Sequence, residues 1–388
     1  MTKTIIIIIF IFSPFICKTN GQTQDYFGQT YPDGIPVIFA PEVISVKGRL
    51  EHGLSFTPDM QEVAFGVLDQ KDFRGSIWYT SKTKDHWTKP ELFKPLQNES
   101  VFLPYFSPDG NSLVYTKSKT LENNYITDIW KLEKHGGIWG NAKKLPEPVN
   151  STSREASACM TLNNTMYFSS NREEASLADI YYALSDGKEN PKVQHLEAVS
   201  TLKDEESIFI APNEEYMIFS RFETIEKGPD LIISYKNIKK EWTPAVALDS
   251  TINTSTWERR PFVTFDNRFL FFTRLTIDGS NITESDIYWV NTKKVFKPYV
   301  FNPIVEKRIK KGQETLLQIP TDFFKDIDDS DLNISLNAND LDWIQLDSEQ
   351  KILKLYPLKT GEFKVEFIAT DKVLNKTVAD LNIIVVEQ

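Results

Sequence analysis

One turn motif recurs along the chain and constrains its fold more than any other feature. In its fullest form the motif is Pro108, Asp109 and Gly110, which lie between apolar and aromatic runs at 105–106 and 113–116. Proline presets φ, aspartate bonds to its own backbone and glycine adopts a positive φ, so the triplet predicts a tight turn. Because the flanking residues are β-branched and aromatic, the whole stretch predicts a β-hairpin.

The same hairpin pattern occurs at four further places in the chain, which are residues 55–65, 159–169, 209–220 and 262–273. Successive copies are spaced about 50 residues apart, a period typical of propellers and solenoids. Each copy is followed by a third apolar and aromatic run, as at 179–181, and the first four copies are followed by a fourth run. A β-propeller blade has four strands, so the repeats predict this fold.

Closure of the ring can be predicted from an unmatched strand near the N-terminus. The fifth copy has no evident fourth run after Tyr288, whereas residues 37–44 have the form of a fourth strand without a hairpin before it. Joining the two would remove the exposed strand edges that an open array leaves. Residues 294–301 are the alternative candidate for this position. We therefore expect an all-β fold with a β-propeller of about five four-stranded blades, and a count of six stays open.

The repeats resemble a known propeller family. The resemblance rests on Phe-Ser-Pro-Asp-Gly, a strand ending in Ser-Arg or Thr-Arg, and then Asp-Ile-Tyr or Asp-Ile-Trp. The third copy departs from the turn pattern with Leu162 and Asn163, and the fifth with Phe265 and Asp266. The pattern resembles the TolB-like (WD-repeat-like) β-propeller repeat over about residues 36–303. This resemblance implies a periplasmic scaffold that binds partner proteins, although that family usually has six blades.

The first 21 residues predict an export signal. Lys3 precedes an apolar run at 5–12 that is too short to span a bilayer. Thr19 and Gly21 are small residues in the positions that a signal peptidase requires. The alternative is a lipid anchor on Cys17. We therefore expect a periplasmic or extracellular protein without a transmembrane segment after signal removal, in which Cys159 forms no internal disulfide.

The sequence pattern changes after residue 303. A basic run at 306–311 marks the boundary, and the alternation at 363–368 predicts a half-buried strand. The order Phe-x-Asp-x-Asp, Trp-Ile, Thr-Gly-x-Phe and Ala-Thr-Asp resembles a dystroglycan-type cadherin-like domain, which is a small immunoglobulin-like β-sandwich. By this resemblance Asp326, Asp328 and Asp371 would help to bind Ca²⁺, and a solvated acidic turn is the alternative. The predicted domains are a signal peptide at 1–21, a propeller at 22–303 and a sandwich at 304–388.

A glutamate recurs at the start of the first strand of four of the predicted blades, as Glu51, Glu155, Glu205 and Glu258, with Val101 in the second blade. Because innermost strands line the channel of a propeller, we expect these side chains and their neighbours His52 and Arg259 to form a ligand-binding channel mouth. Facing carboxylates raise each other's pKa unless a cation lies among them, so a cation, an amine or a sugar would suit this mouth. The alternative is that each glutamate caps backbone amides of the neighbouring blade.

A second recurring pair joins a basic residue at the end of the second strand to an aspartate at the start of the third. The pairs are Arg172 with Asp179, Arg221 with Asp230, Arg274 with Asp286 and Lys117 with Asp128. Opposite charges across neighbouring strands stabilise a sheet. We therefore expect these pairs to be structural.

Charge and the absence of catalytic motifs narrow the function. The net charge of −10 argues against nucleic acid or an anionic membrane surface as a partner. The sequence contains no His-Glu-x-x-His, no Gly-x-Ser-x-Gly and no glycine-rich phosphate loop. We expect an exported, monomeric, non-catalytic binding or scaffold protein that engages a protein or a cell-envelope glycan through the propeller face. The alternative is a glycan-active hydrolase that uses carboxylates at the channel mouth.

Overall fold

The computed structural model describes residues 26–72, 74–84, 86–121, 124–173, 177–184, 191–224, 227–279, 281–338 and 341–387. In these ranges the regular structure is all-β apart from two short 3₁₀ helices, Lys94–Leu96 and Thr292–Lys294. No helix in the described part of the chain is both long and apolar enough to cross a membrane. The predicted export signal and Cys17 lie outside the described residues.

Up to residue 291 the strands form five successive antiparallel groups, here called sheets 1 to 5, and each corresponds to one predicted repeat. A short strand, β1 (Val37–Ile38), precedes them. A parallel pairing of Leu50 with Ser285 joins sheets 1 and 5 into one eight-stranded sheet, which also includes β1. Sheet 1 contains β2 (Leu50–Phe56), β3 (Glu62–Leu68), β4 (Gly75–Ser81) and β5 (Glu91–Leu92); sheet 2 contains β6 (Val101–Phe106), β7 (Ser112–Leu121), β8 (Asn124–His135), β9 (Ile138–Trp139) and β10 (Lys143–Lys144). Sheet 3 contains β11 (Glu155–Met160), β12 (Met166–Ser170), β13 (Asp179–Leu184) and β14 (Lys192–His195); sheet 4 contains β15 (Glu205–Ile210), β16 (Tyr216–Thr224), β17 (Gly228–Tyr235) and β18 (Val246–Ala247); sheet 5 contains β19 (Trp257–Val263), β20 (Phe269–Asp278) and β21 (Asn281–Asn291).

The first strands of these sheets, here called the inner strands, contact one another in a cycle. β2 contacts β6, β6 contacts β11, β11 contacts β15, β15 contacts β19, and β19 contacts β2. The sheets therefore stand side by side around the inner strands. This arrangement is propeller-like, in agreement with the repeat pattern of the sequence.

The N-terminal strand β1 completes sheet 5. Val37 lies opposite Trp289 and Ile38 opposite Tyr288, so β1 pairs with β21 as the predicted fourth strand. The alternative assignment of residues 294–301 to this position is wrong. Within that segment β22 (Tyr299–Val300) pairs instead with β25 (Phe324–Lys325), because the chain has already turned toward its C-terminal part.

Aromatic side chains fill the space where β1, sheet 1 and sheet 5 meet. Phe39, Phe56, Phe271 and Trp289 are all buried there. The ring centroid of Phe39 lies 4.8 Å from that of Phe271 and 5.2 Å from that of Trp289, with edge-to-face geometry. Such pairs stabilise a core beyond the burial of their area. The contact that closes the sequence of sheets is therefore a hydrophobic one.

The hairpin turns form where the sequence predicts them, but glycine is not what they share. In the second repeat the Ser107 hydroxyl donates to Asp109 at 2.5 Å, and Gly110 has a φ of 70°. Met60 and Asn267 occupy the glycine position of the first and fifth repeats with φ values of 57°. A bond between a hydroxyl and the acidic or amide side chain two residues later recurs in all but the fourth repeat. Local side-chain bonding therefore sets these turns.

Residues 306–386 form two further sheets with a hydrophobic cluster of their own. Their strands are β23 (Glu306–Lys310), β24 (Thr315–Gln318), β26 (Asn333–Asn337), β27 (Ile344–Asp347), β28 (Ile352–Leu355), β29 (Gly361–Thr370) and β30 (Lys376–Val386). One sheet has the order β23-β30-β29-β26 and the other β24-β28-β27. Phe323, Leu353, Val365 and Phe367 are buried in the cluster. The predicted alternation of buried and outward residues in β29 is confirmed.

The segment after sheet 5 contacts sheet 4 on one side and this C-terminal part on the other. The rings of Tyr235 and Tyr299 stack at 4.3 Å and 5°. The amide of Ile238 donates to the carbonyl of Phe301 at 2.9 Å. Asn375 Nδ2 donates to the carbonyl of Phe296 at 3.1 Å. Stacking and backbone hydrogen bonds thus connect the two parts.

Every inner strand carries a residue in the left-handed region at the same position. These residues are Gly53, Leu103, Ser157, Ser207 and Arg260, with φ between 55° and 77°, and the register with the second strand shifts there in each sheet. A β-bulge of this kind re-aims side chains. Here it brings residues from different sheets together, since a Cβ on Gly53 would lie 3.3 Å from Arg260 Cβ and 3.6 Å from Leu103 Cδ2.

We predict that Gly53→Ala destabilises the protein more than Gly48→Ala. Both glycines have a φ near 78°, so alanine introduces similar backbone strain of about 1 kcal/mol at either position. Nothing lies within 4 Å of a Cβ on Gly48, whereas a Cβ on Gly53 would crowd Arg260. The free energy of unfolding from urea denaturation should therefore fall by about 1 kcal/mol more for Gly53→Ala. Equal losses would show that the centre of the inner strands is loosely packed.

Candidate functional site

Three of the repeated glutamates are held by the same set of partners. Each carboxylate accepts hydrogen bonds from the amide and the hydroxyl of a Ser or Thr four residues earlier, and from an arginine after or within the second strand. The groups are Glu155 with Ser151 and Arg172, Glu205 with Thr201 and Arg221, and Glu258 with Thr254 and Arg274. The respective arginine-to-carboxylate distances are 3.2, 2.7 and 2.9 Å. These glutamates therefore fasten the loop before each inner strand to its sheet.

Sheets 1 and 2 build the equivalent pair from other positions. In sheet 1, Arg49 comes from the loop before the inner strand, and its Nε donates to Glu51 Oε1 at 2.6 Å. In sheet 2, where Val101 occupies the glutamate position, Glu99 and Lys117 form an ion pair at 2.7 Å. An acidic and a basic side chain thus meet in each sheet.

The basic partner also lies over an aromatic ring in each sheet. The charged group lies 5.0 Å from the ring centroid for Arg49 and Trp78, 4.5 Å for Lys117 and Trp130, 4.9 Å for Arg172 and Tyr181, 5.4 Å for Arg221 and Phe219, and 4.6 Å for Arg274 and Tyr288. A cation over the negative face of a ring is stabilised electrostatically. We call the acid, base and ring of one sheet an acid–base–ring triad.

The expected channel mouth of free glutamates is not what the structure contains. The side chains of Glu51, Glu155, Glu205 and Glu258 are fully buried, and each accepts hydrogen bonds from its own loop and a nearby arginine. The alternative, in which each glutamate caps backbone amides of the neighbouring blade, is correct as to the amides but not as to their place, because they lie in the loop just before each inner strand. These four residues are therefore corrected from candidate ligand-binding groups to structural ones.

The predicted pairs of basic residues with aspartates are also corrected. Arg221 does lie opposite Asp230 in the register of sheet 4, but it lies opposite Glu205 on its other side and bonds to that carboxylate. Asp230 instead forms an ion pair with Lys227. In sheet 2, Asp128 pairs with Lys144 at 2.7 Å. The charges are structural as expected, although the partners differ.

Glu51 differs electrostatically from the other repeated glutamates. Its Oε2 is buried and has no hydrogen-bond partner among the described residues. The position four residues earlier is Lys47, so no serine or threonine hydroxyl is supplied. Burial raises the pKa of Glu51 to about 7, although Arg49 and the amide of Val46 lower it in part. Glu51 is therefore a weak anion near neutral pH.

The side chains that do meet at the centre belong to the next positions of the inner strands and to the loop before β11. Arg154 Nη2 donates to Glu206 Oε1 at 2.5 Å, and Arg259 Nη2 donates to Glu206 Oε2. Burial alone would raise the pKa of Glu206, but Arg259, Arg260 and Arg154 hold it at about 2. Glu206 is thus a fixed anion among arginines.

Arg260 crosses between three other inner strands. Its Nη1 donates to the hydroxyls of Ser157 at 2.8 Å and Ser207 at 2.6 Å, and its Nε donates to His52 Nε2 at 3.1 Å. Burial and the nearby charges of Arg260 and Arg259 hold the pKa of His52 well below its usual range, so the imidazole is neutral. We call His52, Arg154, Glu206, Arg259 and Arg260 the axial cluster.

A cavity of about 40 Å³ lies beside the axial cluster, lined by Leu103, Ser157, Ser207 and Arg260 among others. A space of this size holds little more than a single water molecule. Arg260 therefore fills the space between the inner strands. A ligand larger than a water molecule would have to bind on one side of Arg260.

Sequence reasoning found part of this cluster. His52 and Arg259 were expected beside the repeated glutamates at a ligand-binding mouth; both belong to the axial cluster, and their binding of a ligand stays a prediction. Arg154 was missed because it precedes the repeated glutamate by one residue and lies in a loop rather than a strand. Asp204 was missed for the same reason, and burial together with the nearby Glu206 raises its pKa. The sequence signal that could have indicated these residues is a charged side chain at a position where the residue type differs between repeats.

The three aspartates expected to bind Ca²⁺ lie near one another, since besides burial the charge of Asp371 contributes to the raised pKa of both Asp326 and Asp328. No group of three or more His, Cys, Asp or Glu side chains in the described ranges could hold a metal ion. Asp371 accepts hydrogen bonds from the amides of Val373 and Asn375 and from Asn375 Nδ2, so it shapes a turn. Asp326 and Asp328 do lie together, and burial and Asp326 raise the pKa of Asp328 to about 7. Calcium binding stays a prediction, and a melting temperature unchanged by a chelator would contradict it.

Comparisons with known proteins give no family. No protein-family model matches the chain, and no curated protein matches it. Among solved structures, a family 117 glycoside hydrolase of Zobellia galactanivorans is similar at 10% identity and a TM-score of 0.43, over 66% of this chain and 90% of that one. The catalytic domain of a GH62 α-L-arabinofuranosidase of Coprinopsis cinerea is similar at 9% identity and a TM-score of 0.43, over 67% and 97%.

A prolyl endopeptidase is also similar, at 11% identity and a TM-score of 0.37, over 86% of this chain. The chain spans 40% of the length of that enzyme. These similarities establish neither a family nor an activity for this chain.

We predict that Glu155→Ala destabilises the protein far more than Glu99→Ala. Glu155 is fully buried, and its removal leaves Arg172, whose side chain is 16% exposed, without its carboxylate. Breaking such a buried pair costs about 3–5 kcal/mol, whereas the pair of Glu99 with Lys117 is partly exposed and should contribute about 1 kcal/mol or less. Urea denaturation measures both losses. Comparable values for the two variants would contradict a structural role for the triads.

We predict that Glu51 makes stability fall as pH rises from about 4.5 to about 7. Its pKa is raised in the folded state, so within this window the folded protein binds more protons than the unfolded chain, and the free energy of unfolding declines. Glu51→Gln cannot titrate. The stability of wild type relative to Glu51→Gln should therefore fall by roughly 1–3 kcal/mol between pH 4.5 and 7.5. Urea denaturation at several pH values checks this, and parallel pH profiles would refute it.

Proposed function

We propose that this chain is an exported, non-catalytic binding protein that engages a protein or a cell-envelope glycan through the end of the inner strands where Arg154 lies. The observation that carries the proposal is that the repeated carboxylates are buried and bonded, whereas an arginine of the axial cluster is partly exposed. All four repeated glutamates are committed to contacts inside the sheets, whereas Arg154 keeps 38% of its side chain exposed at the axial cluster. The accessible charge is therefore suited to holding a partner rather than to catalysis by paired carboxylates.

We propose further that the sheets are the blades of a closed five-bladed propeller, followed by an immunoglobulin-like sandwich. The cycle of contacts among the inner strands and the pairing of β1 with β21 support the five blades. The two sheets of residues 306–386, which enclose one hydrophobic cluster, support the sandwich. Export, the TolB-like resemblance and the monomeric state rest on sequence alone.

A glycan-active hydrolase is the second candidate, and one observation favours it. Asp204 and Glu206 have pKa values shifted in opposite directions, which is the pattern of an acid and a base in many active sites. The bonding of Glu206 counts against it. Because two arginines donate to this carboxylate, Glu206 is a weak base and a poor nucleophile, and glycoside hydrolysis needs one of these roles.

The test is a binding and hydrolysis screen of the full exported protein on an array of cell-envelope glycans. The variants are Asp204→Asn and Glu206→Gln, and Asp380→Asn is the matched control because it lies in β30, far from the inner strands, and is half exposed. We expect binding without release of sugars from wild type. Release that is lost in Asp204→Asn and Glu206→Gln but kept in Asp380→Asn would overturn the proposal in favour of the hydrolase.

A further inference from the structure

We propose that the axial cluster binds the carboxylate of an acidic sugar residue. This inference rests on the proposed binding function and names the chemical class of its ligand. It reverses the expectation from sequence, because a mouth lined by glutamates would attract a cation, whereas the side chains that meet there are arginines around one internal anion. The charge of the axial cluster, its unsatisfied hydrogen-bond donors and its accessibility all favour such a ligand.

The axial cluster carries an excess of positive charge. Arg154, Arg259 and Arg260 each bring a full charge, and His52 is neutral because its pKa is well below the usual range. Glu206 neutralises one of the three charges. Even a fully ionised Asp204 would leave one positive charge in excess, and its raised pKa works against full ionisation. Such an excess, in a chain with a net charge of −10, focuses anions on this place.

Two buried donors of the cluster have no acceptor among the described residues. One is Arg259 Nε, and the other is His52 Nδ1. His52 Nε2 accepts the hydrogen bond from Arg260 Nε, so the single proton of the neutral ring is on Nδ1. His52 is only 6% exposed. Buried donors are nearly always satisfied in folded proteins, so an acceptor from outside the chain is the missing partner.

Access to the cluster selects a slim, planar anion. The side chain of Arg259 is 18% exposed and that of Arg154 is 38% exposed, so the site is recessed with Arg154 at its outer side. Beside it, Arg260 and its neighbours line a small cavity of about 40 Å³. A carboxylate matches the planar fork of a guanidinium, and a sugar carboxylate projects from its ring by a single bond. A uronic acid residue therefore suits the site.

The experiment is a titration of the full protein at constant ionic strength with sodium D-glucuronate, D-glucose, sodium sulfate and a triglutamate peptide. Calorimetry measures affinity, and NMR of the arginine Nε–Hε groups reports on Arg259. We expect glucuronate to bind with a Kd on the order of 1 mM, to shift the Arg259 resonance and to compete with sulfate, while glucose does neither. Arg154→Gln should weaken glucuronate binding about tenfold or more. Arg308→Gln is the matched control, since Arg308 lies in β23 and is 68% exposed, and it should bind as wild type does.

Three results would overturn the inference. They are the absence of any anion binding at about 50 mM, binding of sulfate or triglutamate in preference to glucuronate, and equal affinity of wild type and Arg154→Gln for glucuronate. The NMR titration of wild type decides the matter if Arg154→Gln fails to fold. Binding to the glycan array that persists without affinity for glucuronate would sink this inference while leaving the proposed function intact.

Discussion

Burying a carboxylate at the start of an inner strand is costly unless a cation and hydrogen-bond donors satisfy it. The arrangement of the sheets depends on the residues that satisfy these buried carboxylates. The acid–base–ring triad is the answer in each sheet. At Glu155 the carboxylate ties the preceding loop to the end of the second strand, and Arg172 lies over the ring of Tyr181 in the third strand. Since that loop leads from one sheet to the next, the triad also sets how neighbouring sheets meet. Sheets 1 and 2 form the acid–base pair with residues from other positions. The pair is therefore present in every sheet even where the sequence pattern is not.

The same strands separate structural and recognition roles by a single residue. At the first position of the inner strands the residue types repeat, and their side chains are turned into the sheets. At the next two positions the residue types vary among the sheets, apart from the shared serines Ser157 and Ser207, and the bulge brings these residues together between the inner strands. Identical repeats would present the same side chains from every sheet. Specific recognition of a ligand therefore depends on the positions at which the residue type differs between repeats. The axial cluster consists of such residues, apart from Arg154 in the preceding loop.

The predictable part of this protein is the part governed by local chemistry. A recurring turn motif, aromatic runs and one unmatched strand were enough to predict the repeats and the pairing of β1 with sheet 5. The site was harder, because Arg221 has Glu205 and Asp230 opposite it on its two sides. Sequence spacing does not show which of these two carboxylates binds Arg221. Glu205 does so because it is buried and is also held by the Thr201 hydroxyl. The bulge also breaks the alternation of the inner strand, so the direction of each side chain could not be counted from the turn. Asp371 illustrates the same limit, since the hydrogen bonds by which it shapes a turn could not be predicted from its motif.

The pairing of β1 with β21 has a consequence for how the molecule is made. A chain that emerges from its N-terminus delivers β1 first and its partner last, after every intervening sheet. Hairpins within a sheet can form as soon as they appear, because their contacts are close in sequence, but the contact between β1 and β21 is among the most distant in the chain. Until β21 arrives, β1 lacks its partner strand, and an unpaired strand edge invites pairing with other chains. The interval between the arrival of β1 and that of β21 is thus when a newly made chain is most exposed to aggregation, and binding of β1 by a chaperone would protect the chain during that interval.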